Sequence, residues 1–419
     1  MKLLLNNIGK VATADVEIDG ITVIAGENNT GKSTIGKALF SAFNSFYSID
    51  KKILQERINS VVNQLEMLYR RGSKRISYLN FDITDLAKNI VLLKTEENNL
   101  ENLIIETIIS YDADFMNEVE EEDVSVMLDR IITILSVSDE QIFESVVQRV
   151  FDDEFNEQIN NLYNDDNSTI TLEIRGEKTE IFIEENKISK VSSMLNLGTE
   201  AIYLDDPFVL DEISSRIFRF YSRSLDHRSH LKEKLYYNHK NKNVIEEIVT
   251  NSKFETIYSK VSEVCDGNII RGQRNSLGYR VGKSEKILDV RNLSTGLKTF
   301  AIIKKLLVSG SIEFNGTIIL DEPEIHLHPE WQLVFAELIV LLHREFGLHI
   351  LLNTHSPYFL NAIEVYSAKH AVDDKCKYYL INKVDDESQV IDVSNNIDLI
   401  YQKLARPLQT LENERYNND

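Results

Sequence analysis

Two cysteines, Cys265 and Cys376, are all that 419 residues carry, and they match no metal-ligand spacing. That argues against a disulfide scaffold and makes a reducing cytosol the expected setting. No apolar run approaches the roughly 18 residues that a membrane span needs. The opening MKLLLNNIGKVATADVEIDG contains only a three-residue apolar stretch, LLL, and lacks the apolar segment of a signal peptide. The expectation is a cytoplasmic protein with no membrane partner. Positive charge is also scarce. Lys and Arg number 46 against 67 Asp and Glu, leaving a formal charge of −21. A surface basic throughout, which would coat nucleic acid by counterion release, is disfavoured; a local basic groove is not. Internal repeats and low-complexity segments are absent, and the length allows one large domain or two to three ordinary ones.

What is present begins at residue 26. GENNTGKST places Gly26, Gly31, Lys32 and Ser33 in the pattern G-x-x-x-x-G-K-[ST]. The glycines permit a tight turn with positive φ. Successive backbone N–H groups through Asn28, Asn29, Thr30 and Thr34 then face one concavity suited to an anion. Lys32 is placed to reach the β- and γ-phosphates of ATP, and the Ser33 hydroxyl to ligate Mg²⁺. ITVIA before the loop predicts a buried strand. KSTIGKALFSAF after it predicts a helix whose N-terminus adds to anion binding.

Hydrophobic periodicity divides the chain. Residues 1–48 read as strands, loop and helix; 49–165 as a helical insertion without sustained heptads. Residues 166–290 form a mixed strand and helix middle. It contains a hairpin around the RGEK turn and the basic segment RSLDHRSHLKEKLYYNHKNK at 223–242. Residues 291–410 alternate helix and strand, which implies a parallel sheet with helical crossovers. Residues 411–419 read as a frayed tail. The expected class is α/β, with one nucleotide-binding head assembled from both ends of the chain.

The C-terminal part supplies three more motifs. GTIILDEPEIHLHPEWQ predicts an apolar strand ending in Asp321 and Glu322. Asp321 can hold Mg²⁺ through water beside Ser33. Glu322 can orient and deprotonate an attacking water. Asp205-Asp206, after the apolar AIYL, is a rival acidic pair, read mainly as structural. NLSTGLKTFAIIKKLL predicts a helix capped by Ser294. Gly296 in its first turn is a poor helix former. It is explained if a second molecule's phosphate approaches the backbone, with Lys298 nearby. HILLNTHSPYFL ends a strand at His355, at the carboxyl edge where open α/β sheets bind ligands. His326 and His328 lack the further ligands that a metal site would need.

These motifs occur in the order of the ABC-type ATPases, and their details resemble the SMC, RecF and OLD branch. GENNTGKST is similar to that branch's Asn-containing P-loop. LDEPEIHLHPEWQ and THSPYFLNAIE resemble the OLD-like ATPases of bacterial anti-phage defence, including the PtuA-type ATPases of Septu. The resemblance is specific over residues 1–45 and 290–365. It implies that Lys32, Ser33 and Asp321 bind MgATP, that Glu322 is the catalytic base and that His355 is a switch histidine. It further implies that Ser294 and Gly296 close on ATP held by a second subunit, giving a homodimer or higher oligomer that hydrolysis opens. The first 39 residues contain no aromatic ring to stack on adenine, which disfavours a transporter subunit. Only about 60 residues follow THSP, so an effector nuclease or toxin is expected on another polypeptide. The expected function is a slow ATPase switch, with weak nucleic-acid contact at 223–242. A DNA-maintenance ATPase and an ATP-bound scaffold are the alternatives.

Overall fold

The computed structural model describes every residue except 72–80, 94–98, 116–118, 165, 214–223, 238–253, 272–275 and 417–419. Its organising element is the strand ITVIA, whose five residues are all buried. A strand with no polar face needs cover on both sides, which parallel sheets in α/β folds provide. Among the described residues the strands before the insertion are β1 (Lys2–Ile8), β2 (Val11–Glu17) and β3 (Ile21–Ala25). After it come β4 (Ser168–Ile174), β5 (Glu177–Glu184), β6 (Lys187–Val191) and β7 (Ala201–Leu204). A separate three-stranded sheet consists of β8 (Gly267–Arg271), β9 (Leu277–Val281) and β10 (Leu288–Asp289). Last are β11 (Thr317–Asp321), β12 (His349–Thr354), β13 (Cys376–Val384) and β14 (Glu387–Asp392).

The main sheet runs β6-β5-β4-β1-β2-β14-β13-β3-β12-β11-β7. β13, β3, β12, β11 and β7 are mutually parallel, as the alternating pattern after residue 291 implies. Their C-terminal ends therefore share one edge. Register there is exact enough to matter: Asn353 lies opposite Ile24 on one side and Asp321 on the other. The far half of the sheet is antiparallel, from β2 through β1, β4 and β5 to β6. Arg175 (φ 54°) and Gly176 (φ 86°) make the tight turn between β4 and β5, the left-handed pair that such hairpins use. The middle region thus contributes β4 to β7 to the head's own sheet, because β1 offers a free edge that β4 completes from Lys2↔Glu173 to Asn6↔Thr169. Residues 411–416, expected to fray, complete a helix, Arg406–Tyr416.

Residues 48–146 are a second compact unit, and residues 1–47 with 147–419 are the first. The second unit is helical. Helices Ile49–Arg71, Ile83–Val91, Leu100–Tyr111 and Glu121–Ser136 bury Val61, Leu65, Ile90, Ile104, Ile108 and Ile131 in one core. Asp82 accepts the Thr84 N–H at 2.8 Å and caps one helix. Arg57 donates to the carbonyls of Ile134, Leu135 and Val137 at 3.2, 3.1 and 2.6 Å, closing the C-terminal end of another.

In the head, Glu337 on helix Pro329–Phe346 gathers three cations. Lys260 and Lys369 approach at 2.7 Å and His370 at 3.0 Å. Burial pushes its carboxyl upward, but hydrogen bonds from Lys260, Lys369 and His370 outweigh this and hold it down at about 2. Such a depressed carboxyl lends stability that is full above the unfolded value and is lost as pH falls through the folded one. Glu337→Gln is expected to cost roughly 2–3 kcal/mol at pH 7. In denaturant titrations the gap from wild type should close between pH 4.5 and about 2; a gap constant across that window would show that the cluster adds no charge-dependent stability.

Candidate functional site

The loop after β3 is shaped by what it must pass. A Cβ on Gly26 would lie 2.4 Å from Ile381 Cγ2 and 2.9 Å from the Ile381 carbonyl of β13, so only glycine fits. Asn29 (φ 63°) and Gly31 (φ 91°) are left-handed, and Thr30 Oγ1 closes the turn on the Glu27 carbonyl at 2.8 Å. Lys10, from the β1–β2 turn, donates to Asn29 Oδ1 at 2.7 Å. Helix Lys32–Phe46 then starts with Gly31 as its N-cap and no side-chain cap. The Thr34 N–H already donates to the Gly31 carbonyl at 3.1 Å, and the N–H groups of Lys32 and Ser33 remain open to an anion. Asn28 and Ser33 are exposed beside it, and the Thr34 methyl turns back towards Gly9.

Lys32 is 4% exposed. Its ammonium donates to the carbonyls of Gly26 (3.0 Å) and Glu27 (2.8 Å) and sits 3.2 Å from Glu322 Oε1. His355 Nδ1 is 3.2 Å from the same carboxylate oxygen. Glu322 has φ 47°, a left-handed conformation that non-glycine residues rarely hold. Its N–H is satisfied by the Asn353 carbonyl at 2.9 Å. Asp321 is gripped at both oxygens: Asn353 Nδ2 donates to Oδ1 at 3.0 Å and Tyr203 OH to Oδ2 at 2.9 Å. Asn353 Nδ2 also reaches the Lys32 carbonyl at 3.2 Å. Glu324 is buried beneath His355, where Thr354 Oγ1 and the His355 N–H (3.3 Å) donate to its Oε1. Burial pushes the Glu324 carboxyl up, against those hydrogen bonds.

The structure thus brings Lys32, Asp321, Glu322 and His355 together at the carboxyl ends of β3, β11 and β12. Tyr203, Asn353 and Glu324 belong to the same constellation and escaped the sequence reading. Asn353 stands inside the NTH motif, and Glu324 two residues after Glu322, which were the available signals; Tyr203 had none. The donor types fit what the motif implies. Ser33 and Asp321 offer hard oxygen donors of the kind Mg²⁺ takes, and the uncapped helix start offers N–H groups to phosphate.

Ser294 does begin helix Thr295–Val308, exposed and without a side-chain cap hydrogen bond. One neighbour, Lys298, needs correction; the other, Gly296, has a packing reason beside the expected one. A Cβ on Gly296 would lie 3.0 Å from the His326 carbonyl and 3.2 Å from the Trp331 ring, so close packing within the chain favours glycine there. Lys298, expected near a phosphate, is buried. It pairs with Asp211 at 2.6 Å and lies 5.0 Å over the Phe208 ring. It is committed inward and cannot serve a bound nucleotide without breaking that pair.

Asp205 and Asp206 follow β7, whose Leu204 pairs with Leu320 of β11. Arg228 Nη2 lies 2.7 Å from Asp205 and 3.6 Å from Asp206. His227 lies between Glu154 (2.7 Å) and Asp205 (3.2 Å). Burial pushes the His227 imidazole down, but these two carboxylates overrule it and raise it to about 9. Within the basic segment, Arg223, Lys240 and Lys242 lie outside the described residues. Lys232 pairs with Glu212 and Lys234 with Glu200, on helix His227–Tyr236. The described cations of this segment are therefore neutralised within the chain.

No helix among the described residues is long and apolar enough to cross a membrane. Among solved structures, the chain is similar to the SMC head domain from Thermotoga maritima, at 12% identity and TM-score 0.39. That match covers 94% of this chain and 98% of the other. It is also similar to an Smc head domain with extended coiled coil, bound to the C-terminal domain of ScpA derived from Pyrococcus furiosus. There identity is 13% and TM-score 0.41, over 99% and 98% of the two chains. The family model described as AAA ATPase domain (AAA_15) matches residues 1–360. With that match over most of its length, and a glycine-rich loop, acidic strand end and histidine gathered at one sheet edge, the chain belongs to the AAA ATPase domain family.

Proposed function

We propose that this chain binds MgATP at Lys32 and hydrolyses it slowly, as a dimerising switch in bacterial anti-phage defence that controls a separate nuclease or toxin effector. The observation that carries the catalytic part is the shared contact of Lys32 and His355 with Glu322, next to a firmly held Asp321. Lys32 binds the terminal phosphates of ATP, and Ser33 with Asp321 holds Mg²⁺, which neutralises phosphate charge when bound. Glu322 takes the proton of the attacking water. Its carboxylate is partly neutralised by Lys32 as the site stands. A phosphate that draws the ammonium to itself frees Glu322 to act as base, so binding and activation are linked through one ion pair. His355 meets the same Glu322 oxygen as Lys32 and would contact the γ-phosphate as a switch histidine.

Dimer closure rests on the resemblance of LSTGLK to an ABC signature and on the exposed, uncapped start of its helix at Ser294. The defence role rests on the likeness of LDEPEIHLHPEWQ and THSPYFLNAIE to OLD-like ATPases. Internal pairing of Arg228, Lys232 and Lys234 counts against residues 224–237 as a nucleic-acid contact.

Lys32→Ala is expected to weaken ATP binding roughly 10- to 150-fold in calorimetry, the loss of one charge-assisted contact. Undiminished affinity would remove the loop from the ATP site.

Glu322→Gln should keep ATP binding while turnover falls by a factor on the order of 10²–10⁴. ATP should then trap a crosslink between two chains across the closed site. Ser294→Arg should bind ATP, fail to crosslink and also lose turnover. Normal hydrolysis in Ser294→Arg, with no ATP-dependent crosslink in Glu322→Gln, would reduce LSTGLK to an ordinary helix start.

A further inference from the structure

Tyr203 lies on the edge strand β7, far in sequence from every nucleotide motif. Its side chain is fully enclosed, and its hydroxyl donates to Asp321 Oδ2 at 2.9 Å. A buried phenol needs a partner, because an unsatisfied hydroxyl has lost its hydrogen bonds to water without replacement. This one has found the carboxylate at the end of β11.

Two further features hold the phenol there. Gly36, in the helix that follows the phosphate loop, faces it directly. A Cβ on Gly36 would lie 3.0 Å from the Tyr203 hydroxyl and 3.1 Å from its Cζ. Glycine is a poor residue for a helix interior, and here it leaves the space that the phenol occupies. His227 stacks on the ring at 4.3 Å and 26°, and Phe40, one turn after Gly36, packs against it at 6.3 Å. His227 is itself fixed by Glu154 and Asp205. These contacts hold the ring with its O–H on Asp321.

We infer that Tyr203 is a positioning residue for metal-dependent nucleotide binding, orienting the Asp321 carboxylate from β7 while Asn353 orients it from β12. The inference rests on the reading that Asp321, with Ser33, holds Mg²⁺. Two donors from the two flanking strands fix both oxygens and leave each with a free lone pair. A carboxylate so held does not have to be ordered when the metal arrives. Phenylalanine at 203 would fill the same space with no donor.

The test compares wild type, Tyr203→Phe and Asp321→Asn by calorimetric binding of a non-hydrolysable ATP analogue, in EDTA and at graded Mg²⁺. Thermal unfolding is followed in parallel. Tyr203→Phe should bind the analogue as wild type does in EDTA, yet need about 10-fold more Mg²⁺ for half of the metal-dependent gain, the low end of what losing a partner behind a metal ligand costs. Asp321→Asn should lose that gain. If Asp321→Asn keeps it, the metal assignment fails and takes this inference with it. If Asp321→Asn loses it while Tyr203→Phe needs only wild-type Mg²⁺, Tyr203 is structural and the inference alone is overturned. Gly36→Ala crowds the same hydroxyl with Tyr203 intact and should also raise the Mg²⁺ requirement. If Tyr203→Phe does not fold, an unchanged requirement in Gly36→Ala overturns the proposal instead.

Discussion

A lysine ammonium taken out of water must spend its donors inside the protein, and the buried Lys32 has three takers: two carbonyls of its own loop and the carboxylate of Glu322. The first two shape the loop. The third ties it to β11, and Glu322 in turn meets His355 at the end of β12. One desolvated cation thus ties the loop after β3 to two strand ends far along the chain. The strand order serves this contact. β12 lies between β3 and β11, so Asn353 can hold Asp321 with its side chain and the Glu322 N–H with its carbonyl. A left-handed Glu322 is tolerable because its N–H and its carboxylate are both engaged.

What could be read in the sequence was whatever is local. The phosphate loop, the Asp321-Glu322 strand end and the position of His355 are contiguous motifs whose chemistry is written in neighbouring residues. The parallel half of the sheet followed from helix and strand alternation, and the helical insertion from its periodicity. What escaped depends on distant partners. Tyr203 meets Asp321 across 118 positions, and Glu324 meets Thr354 across 30. The pairing of β1 with β4 and of β14 with β2 likewise carries no local mark. Lys298 was misread for the same reason, since Asp211 accounts for it only once the chain is folded.

The basic segment shows how an acidic chain handles its cations. Read as text, Arg228, Lys232 and Lys234 look like a free positive face. In the fold, Asp205, Glu212 and Glu200 come from β7 and its surroundings to meet them. With 67 acidic side chains against 46 basic ones, a cation near the sheet edge is more readily paired than left to attract a polyanion. The same pairing brings His227 onto the Tyr203 ring, so helix His227–Tyr236 is in contact, through one aromatic stack, with the side chain that grips Asp321.

The place of β3 also bears on how such a chain is made. Synthesis delivers β3 long before its two sheet neighbours, which begin only at His349 and Cys376. Until then a strand whose every residue the fold buries has no edges to pair with. Contacts of such long sequence separation form slowly, and unpaired strand edges invite association with other chains. The intervening helical unit has its own core and can be completed on the ribosome first. The nucleotide loop, by contrast, acquires its supporting walls only when nearly the whole head has emerged, so an incomplete chain cannot hold a preformed phosphate site.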